Sequence, residues 1–269
     1  MPPAVQAAIL GIVQGVTEFL PVSSTAHLLI AGRLLGFKDP GGVFTVMIQL
    51  GSIFAVVWLY REKVFSVLRN LPHDKSAQRF AVMLFVALLP ALVAGAAFGG
   101  FITRVVYNTL AVSAVTFILG GIIILIVERS QPKVTVLDAD YTPVGKAFGI
   151  GVCQAIAIIP GVSRSGGTIV GGLALGLDRA VATEFSFFLA MPTLAAAFVN
   201  SAWKARHDFT SAQTTNIAIG LVMAFISSAL VIRPFLNFVR RSGFQAFAWY
   251  RIVAGIALLA AIYGAGWGR

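Results

Sequence analysis

The sequence predicts an all-α polytopic membrane protein with six transmembrane helices and two re-entrant helical hairpins in inverted repeats. Three observations predict it. The chain of 269 residues is 58% hydrophobic and only 11% charged, with a mean hydropathy of +0.89, which is more apolar surface than a soluble domain of this size buries. Six apolar runs have the roughly 17 to 25 residues that cross hydrocarbon as helices. Two further stretches, Gly11 to Gly36 and Gly151 to Gly176, are weak copies of one another at constant spacing, the pattern of a duplicated membrane fold.

The elements follow in order. The first hairpin covers Val5 to Leu35 and is broken at Leu20-Pro21-Val22-Ser23-Ser24-Thr25. Spans are expected over Val43 to Tyr60, Phe80 to Gly99 and Thr109 to Val127. The second hairpin covers Val144 to Leu177, broken at Pro160-Gly161-Val162-Ser163-Arg164-Ser165, and spans follow over Val181 to Asn200, Thr215 to Ile232 and Phe247 to Gly266. Lipid tolerates such broken backbone only where protein or a polar cavity surrounds it. The copies match at Gly11/Gly151, Gln14/Gln154, Val22/Val162, Ser23/Ser163, Gly32/Gly172, Leu35/Leu175 and Gly36/Gly176. Residues 1–269 therefore form a single integral membrane domain, with repeat one at about 1–140 and repeat two at about 141–269. Each repeat is a hairpin plus three spans. Three is odd, so the second repeat is inverted and the hairpins enter from opposite faces to meet near the midplane.

The formal charge of +10 does not indicate nucleic acid, because the Lys and Arg residues sit mostly in short loops, where they signal topology and meet anionic lipid. One side carries Arg61, Lys63, Arg69, Lys75, Arg79, Arg129, Lys133, Lys146, Arg233, Arg240 and Arg241; the other carries Arg33, Lys38, Arg104, Lys204, Arg206 and Arg269. The richer side is expected to be cytoplasmic, which places the first hairpin on the outer face. Trp58, Tyr60, Tyr107, Trp203, Trp249, Tyr263 and Trp267 fall near span ends, where amphipathic rings prefer to sit. A single Cys153 excludes an intrachain disulfide framework.

Glu18 is the most telling residue, since an ionisable group inside an apolar hairpin is by default a functional candidate. Gln14, four residues earlier, shares its helical face. Carboxylate and amide carbonyl are oxygen ligands suited to a hard cation, Mg²⁺ or Ca²⁺, with a bound polyphosphate supplying further oxygens. Ser23 or Ser24 is expected to cap the second half-helix. His27, three residues past Ser24, can approach that hydroxyl as base to its nucleophile, or the imidazole can itself attack. His73 and His207 fall in loops. In the second copy, Arg164 offers a planar fork for phosphate oxygens, and Ser163, Ser165, Gly166 and Thr168 offer donors at a helix N-terminus. A structural reading competes, with Arg164 paired to Glu184 or Asp178. Glu184 is also placed to hold Arg164 or His27.

At these residues the chain resembles the bacterial undecaprenyl-diphosphate phosphatases of the bacitracin-resistance family. The likeness rests on Gln14-Gly-Val-Thr-Glu18-Phe-Leu-Pro-Val-Ser-Ser-Thr-Ala-His27 and Pro160-Gly-Val-Ser-Arg-Ser-Gly-Gly-Thr168, supported by Ile48-Gln49-Leu50-Gly51-Ser52 and Glu184-Phe185-Ser186-Phe187. It spans essentially the whole chain. The resemblance implies catalytic roles for Ser24, His27, Glu18 and Arg164, substrate contacts from Ser23, Thr25, Ser163, Ser165, Gly166 and Thr168, a cation at Glu18 and Gln14, and support from Glu184 and Gln49. The family pattern allows Glu or Gln at position 14, and Gln14 here leaves Glu18 as the chief acidic metal contact. Ala26 stands where glycine is common in the family, which should tighten the start of that half-helix.

The function so implied is hydrolysis of the terminal phosphate of undecaprenyl diphosphate to the monophosphate lipid carrier of cell-wall synthesis, with Mg²⁺ or Ca²⁺ and with bacitracin resistance as its consequence. The expected setting is the bacterial cytoplasmic (inner) membrane, with a multi-pass chain and an active site facing outward. Expected partners are the lipid substrate and membrane lipid, not nucleic acid, with a homodimer left open. A polyprenyl-phosphate transporter or flippase is the competing reading, because inverted repeats with broken helices also build transporters.

Overall fold

The computed structural model describes residues 1–39, 42–102, 109–130, 132–206 and 211–264. Arg104, Tyr107, His207, Trp267, Arg269 and the span end Gly266 lie outside the described residues. Eleven α-helices run through the described residues in the expected order, with no strand among them. The first hairpin is α1 (Pro3–Thr17) and α2 (Ser24–Leu35), followed by α3 (Val43–Leu59), α4 (Arg61–Asn70), α5 (Lys75–Phe101) and α6 (Leu110–Ser130). The second is α7 (Val144–Ala155) and α8 (Arg164–Ala174), followed by α9 (Arg179–Ala205), α10 (Ser211–Ser242) and α11 (Gln245–Gly264). Among the described residues five helices are long and apolar enough to span a membrane, and α3 with α4 makes a sixth when that bent pair is counted as one span.

Two departures from the sequence reading stand out. The basic loop after α3 is a helix, α4, turned 80° from α3, with Phe65 and Leu68 exposed beside its charges. Such a short amphipathic helix suits the interface plane better than the hydrocarbon. The span expected to end at Ile232 continues through Arg233 and Pro234 to Ser242. Neighbouring helices in a bundle let a proline stay inside a long apolar helix.

Packing couples the halves. Helix α1 lies against α10, and α7 lies against α5, contacts that map onto each other when the two copies are exchanged. The matched glycines explain the closeness. A Cβ on Gly11 would overlap the Gly220 carbonyl of α10, and one on Gly151 would overlap the Ala87 carbonyl of α5. Ser228 adds a hydrogen bond from its hydroxyl to the Gly15 carbonyl, 3.1 Å. Gly36 and Gly176, also matched, both take left-handed φ values of 68° and 83° as the half-helices end, where a Cβ would be strained. The main core fills the space between α3, α5 and α9 with Phe80, Met83, Phe185, Phe187 and Phe188.

Ion pairs gather at one end of the bundle. Lys63 pairs with Asp140, Arg179 with Glu128 at 2.7 Å, and Arg240 with Glu184 at 3.5 Å. All six residues belong to element ends that the alternation of spans places on the richer basic side. Lys63 also sits over the Phe80 and Phe188 rings, 4.8 and 4.7 Å from their centroids.

Candidate active site

The two hairpin turns meet. Between them opens a cavity of about 180 Å³, with a polar wall of Glu18, Ser23, Ser24, Thr25, Gln49, Ser163 and Arg164 and an apolar wall of Ala157, Ile158, Ile159 and Leu194. The first residues of both α2 and α8 line it, so two helix N-termini and their positive dipole ends converge on one small space. That arrangement favours a compact anion.

The turns are strained at matched points. Ser23 and Ser163 have φ of 67° and 76°, and among the described residues they alone have positive φ without being glycine. Each such conformation costs on the order of 1–3 kcal/mol and persists only where surrounding contacts enforce it. Ser163 Oγ accepts from the Gly166 N–H at 3.0 Å, a side-chain cap for α8. Ser23 caps α2 without a side-chain bond; its carbonyl is held instead by His27, 2.8 Å from Nδ1.

Glu18 joins the two copies. It sits just past the last turn of α1 and is almost wholly buried. Its Oε1 accepts from Arg164 Nη2 at 2.7 Å, and its Oε2 accepts from Ser24 Oγ at 2.6 Å and Gln14 Nε2 at 2.8 Å. Arg164 also donates from Nη1 to the Ser186 carbonyl at 3.1 Å, while its buried Nε has no partner. The guanidinium is thereby anchored in the cavity wall, with Nε buried behind it.

Several expected placements change. Arg164 pairs with Glu18 rather than Glu184 or Asp178. Asp178 caps α9 by accepting from the Ala180 N–H at 2.9 Å. Glu184 lines a different pocket with Arg179 and Arg240 and touches neither Arg164 nor His27. His27 does not meet Ser24: its Nε2 lies 2.6 Å from the Tyr250 hydroxyl, and its ring lies beside Phe117 and Tyr250 rather than in the cavity wall. Ser165 Oγ donates to the Leu20 carbonyl at 2.8 Å, and Thr168 Oγ1 lies 2.6 Å from Ser186 Oγ and 3.0 Å from the Arg164 carbonyl. Gly166 is packed against Ser163 and Arg251. A helix turns once per 3.6 residues, so only Ser163 and Arg164 of this run face the cavity, and those that follow fasten α8 to the rest of the molecule.

Among the described residues no group of three or more His, Cys, Asp or Glu side chains could hold a metal. The oxygen donors present are the Glu18 carboxylate, the Ser24 hydroxyl and the Gln14 carbonyl oxygen Oε1, which is buried without a partner. These hard donors suit Mg²⁺ or Ca²⁺, but they are too few for a tight site unless a ligand adds its own.

Arg251 of α11 belongs to neither hairpin motif, although a lone Arg inside an apolar span is the same kind of signal as Glu18. It is fully buried. Its Nε donates to the Phe117 carbonyl at 3.3 Å, Nη1 to those of Pro21 and Val162 at 3.0 Å each, and Nη2 to those of Thr116 and Gly161 at 2.9 Å each. Three of these acceptors belong to the hairpin turns. A Cβ on Gly120 would collide with the guanidinium, so that glycine opens the channel it occupies.

A family model described as bacitracin resistance protein BacA matches residues 7–257. The chain is 48% identical over 256 residues to a protein of Cereibacter sphaeroides named undecaprenyl-diphosphatase, covering 95% of this chain and 96% of that one. It is 50% identical over 252 residues to one of the same name from Rhizorhabdus wittichii, covering 93% and 94%. A protein of Agrobacterium fabrum named undecaprenyl-diphosphatase 1 is 47% identical over 258 residues, covering 96% of each chain.

Arg251→Lys should destabilise the protein although charge is kept, because three ammonium donors cannot satisfy five carbonyls in these directions. Two carbonyls left bare cost at least about 2 kcal/mol together, which thermal unfolding in detergent measures as a lowered midpoint. An unchanged midpoint would mean that the turns do not depend on the clamp.

Proposed function

The chain belongs to the bacitracin resistance protein BacA family, and on that premise we propose how its site works as an undecaprenyl-diphosphatase. The enzyme hydrolyses undecaprenyl diphosphate to undecaprenyl phosphate and inorganic phosphate. A cavity of about 180 Å³ suits the diphosphate rather than the polyprenyl chain, which in this reading leaves past Ala157, Ile158, Ile159 and Leu194 into lipid.

The observation that carries the mechanism is the 2.6 Å bond from Ser24 Oγ to Glu18 Oε2. Ser24 is the nucleophile and Glu18 its base. The terminal phosphate lies against Arg164 and the N-terminal N–H groups of α2 and α8, where donors aimed at developing charge stabilise the transition state. Ser24 passes its proton to Glu18 as its oxygen bonds to the terminal phosphorus. The bond from that phosphorus to the bridging oxygen breaks, and undecaprenyl phosphate departs with that oxygen and the proton from Glu18. Glu18 then takes a proton from the water that attacks the phosphoserine and returns it to Ser24 Oγ. Both ring nitrogens of His27 are engaged elsewhere, which favours serine over histidine as the attacking group. A transporter reading gives no reason for a hydroxyl bonded to a carboxylate beside the phosphate cradle.

For the cation, we propose that Mg²⁺ or Ca²⁺ is held jointly by substrate oxygens, Glu18 and the unpartnered Gln14 Oε1. When bound it offsets negative charge on the diphosphate. For location, we propose the bacterial cytoplasmic membrane with the first hairpin opening outward, supported by the excess of Lys and Arg on the side of α4.

Ser24→Ala should abolish turnover while the protein stays folded, and acid-quenched wild-type enzyme should carry an acid-stable phosphoserine at position 24. An acid-labile phosphate on His27, or turnover surviving in Ser24→Ala, would assign attack elsewhere. Chelation should remove activity, and Glu18→Gln should weaken direct binding of Mg²⁺ or Ca²⁺ in the presence of a non-hydrolysable diphosphate, measured by calorimetry, far more than Gln14→Ala does; full activity in excess chelator ends the metal role. In a Cys153→Ala background, an impermeant thiol reagent applied outside should label Lys38→Cys but not Ser76→Cys. The reverse pattern would turn the protein over.

A further inference from the structure

The reaction above leaves His27 without a chemical step, yet both of its ring nitrogens have partners. Its backbone N–H and its Nδ1 both meet the Ser23 carbonyl, at 3.3 and 2.8 Å. A carbonyl only accepts, so Nδ1 carries the hydrogen. Among the described residues no carboxylate pairs with the imidazole. In the neutral ring Nε2 is then the acceptor, and the Tyr250 hydroxyl, 2.6 Å away, is its donor. The two rings lie nearly parallel, 12° apart with centroids at 5.7 Å, and the Phe117 ring lies 5.5 Å away, tilted by 35°.

The receiving carbonyl is not an ordinary one. Ser23 is one of the two strained serines, it has no side-chain cap bond, and it immediately precedes Ser24. At the matched position the second copy uses the Ser163 hydroxyl to brace the turn. In the first copy the brace is an imidazole oriented from α11.

We propose that Tyr250 is a positioning residue of the phosphatase. Its hydroxyl fixes His27 in the tautomer whose Nδ1–H clamps the Ser23 carbonyl, and that clamp keeps Ser24 aligned on Glu18. The proposal rests on the serine reading of the reaction. It makes His27 a relay of position rather than a base, and it explains how a tyrosine half-exposed on the outside of the bundle acts through His27 on Ser23 and Ser24 in the cavity wall.

The test is Tyr250→Phe in the full-length protein, with His73→Gln and His207→Gln so that ¹⁵N-labelled histidine reports His27 alone. Losing one hydrogen bond that orients the nucleophile should lower kcat about tenfold, with KM within about twofold because phosphate contacts are untouched. The Nε2 resonance should shift as its donor is removed, while thermal unfolding stays close to that of the parent. An unchanged kcat overturns the proposal, and so does a lowered kcat with unmoved His27 resonances, since the effect would then bypass the imidazole. Failure of the serine reading shows separately, as turnover surviving in Ser24→Ala.

Discussion

Irregular backbone at membrane depth has to find its hydrogen bonds inside the protein, and here one guanidinium meets much of that demand. Arg251 has five N–H donors and places each on a carbonyl, three of them in the two hairpin turns. Hairpin tips that would otherwise expose bare acceptors to lipid are thereby fixed to α6, to α11 and to each other. The clamp takes up donors, and among the described residues no carboxylate pairs with the guanidinium, so the field of the cation favours an anion in front of it. Structure and chemistry share a cause at this point: the residue that makes the broken helices tolerable also makes their meeting place attractive to phosphate.

Glu18 plays the complementary part from the other side. A carboxylate this deep would be costly alone, and it is stabilised by three donors from two hairpins. Removing any one leaves the remaining contacts to carry a buried charge. The same bonds that satisfy Glu18 aim Ser24 and Arg164 into a space of about 180 Å³. Positioning is therefore not an extra device laid over the fold; it follows from the need to pair a buried charge.

Much of this was legible in the sequence because it is written in residue types with few structural uses. Prolines, serines and glycines inside apolar runs marked both turns, and the gapless alignment that paired Ser23 with Ser163 also paired the two strained residues. Glu18 and Arg164 were visible as charges where apolar residues belong. Partnerships were less legible. Which carboxylate meets Arg164 depends on how hairpins pack across 146 positions of chain, and no local spacing encodes that. Ser165 and Thr168 looked like ligand donors because their chemistry fits, whereas their helical phase turns them into the protein. Spacing brought His27 within reach of Ser24, but its ring is directed by Tyr250, 223 positions away. Arg251 carried the same signal as Glu18 and lay outside any recognisable motif. Helix α4 was hidden because its charges read as a loop, while its 80° bend from α3 falls beside Tyr60, whose ring packs on Phe188 far along the chain.

The two copies keep a common backbone and divide the chemistry. Matched positions share the positive φ at Ser23 and Ser163, the left-handed ends at Gly36 and Gly176, and the close glycine contacts at Gly11 and Gly151. Side chains at the same spacing do not match: Ser24 stands opposite Arg164, Glu18 opposite Ile158, and His27 opposite Gly167. Like charges at equivalent points would face one another across the meeting of the tips and repel, since symmetry brings equivalent residues together. A carboxylate and hydroxyl from one copy against a guanidinium from the other remove that repulsion and produce the bond from Arg164 to Glu18. Asymmetry between the copies is thus what allows two similar turns to form one site, and the apolar Ile158, in the place corresponding to Glu18, opens the wall through which a lipid tail can leave.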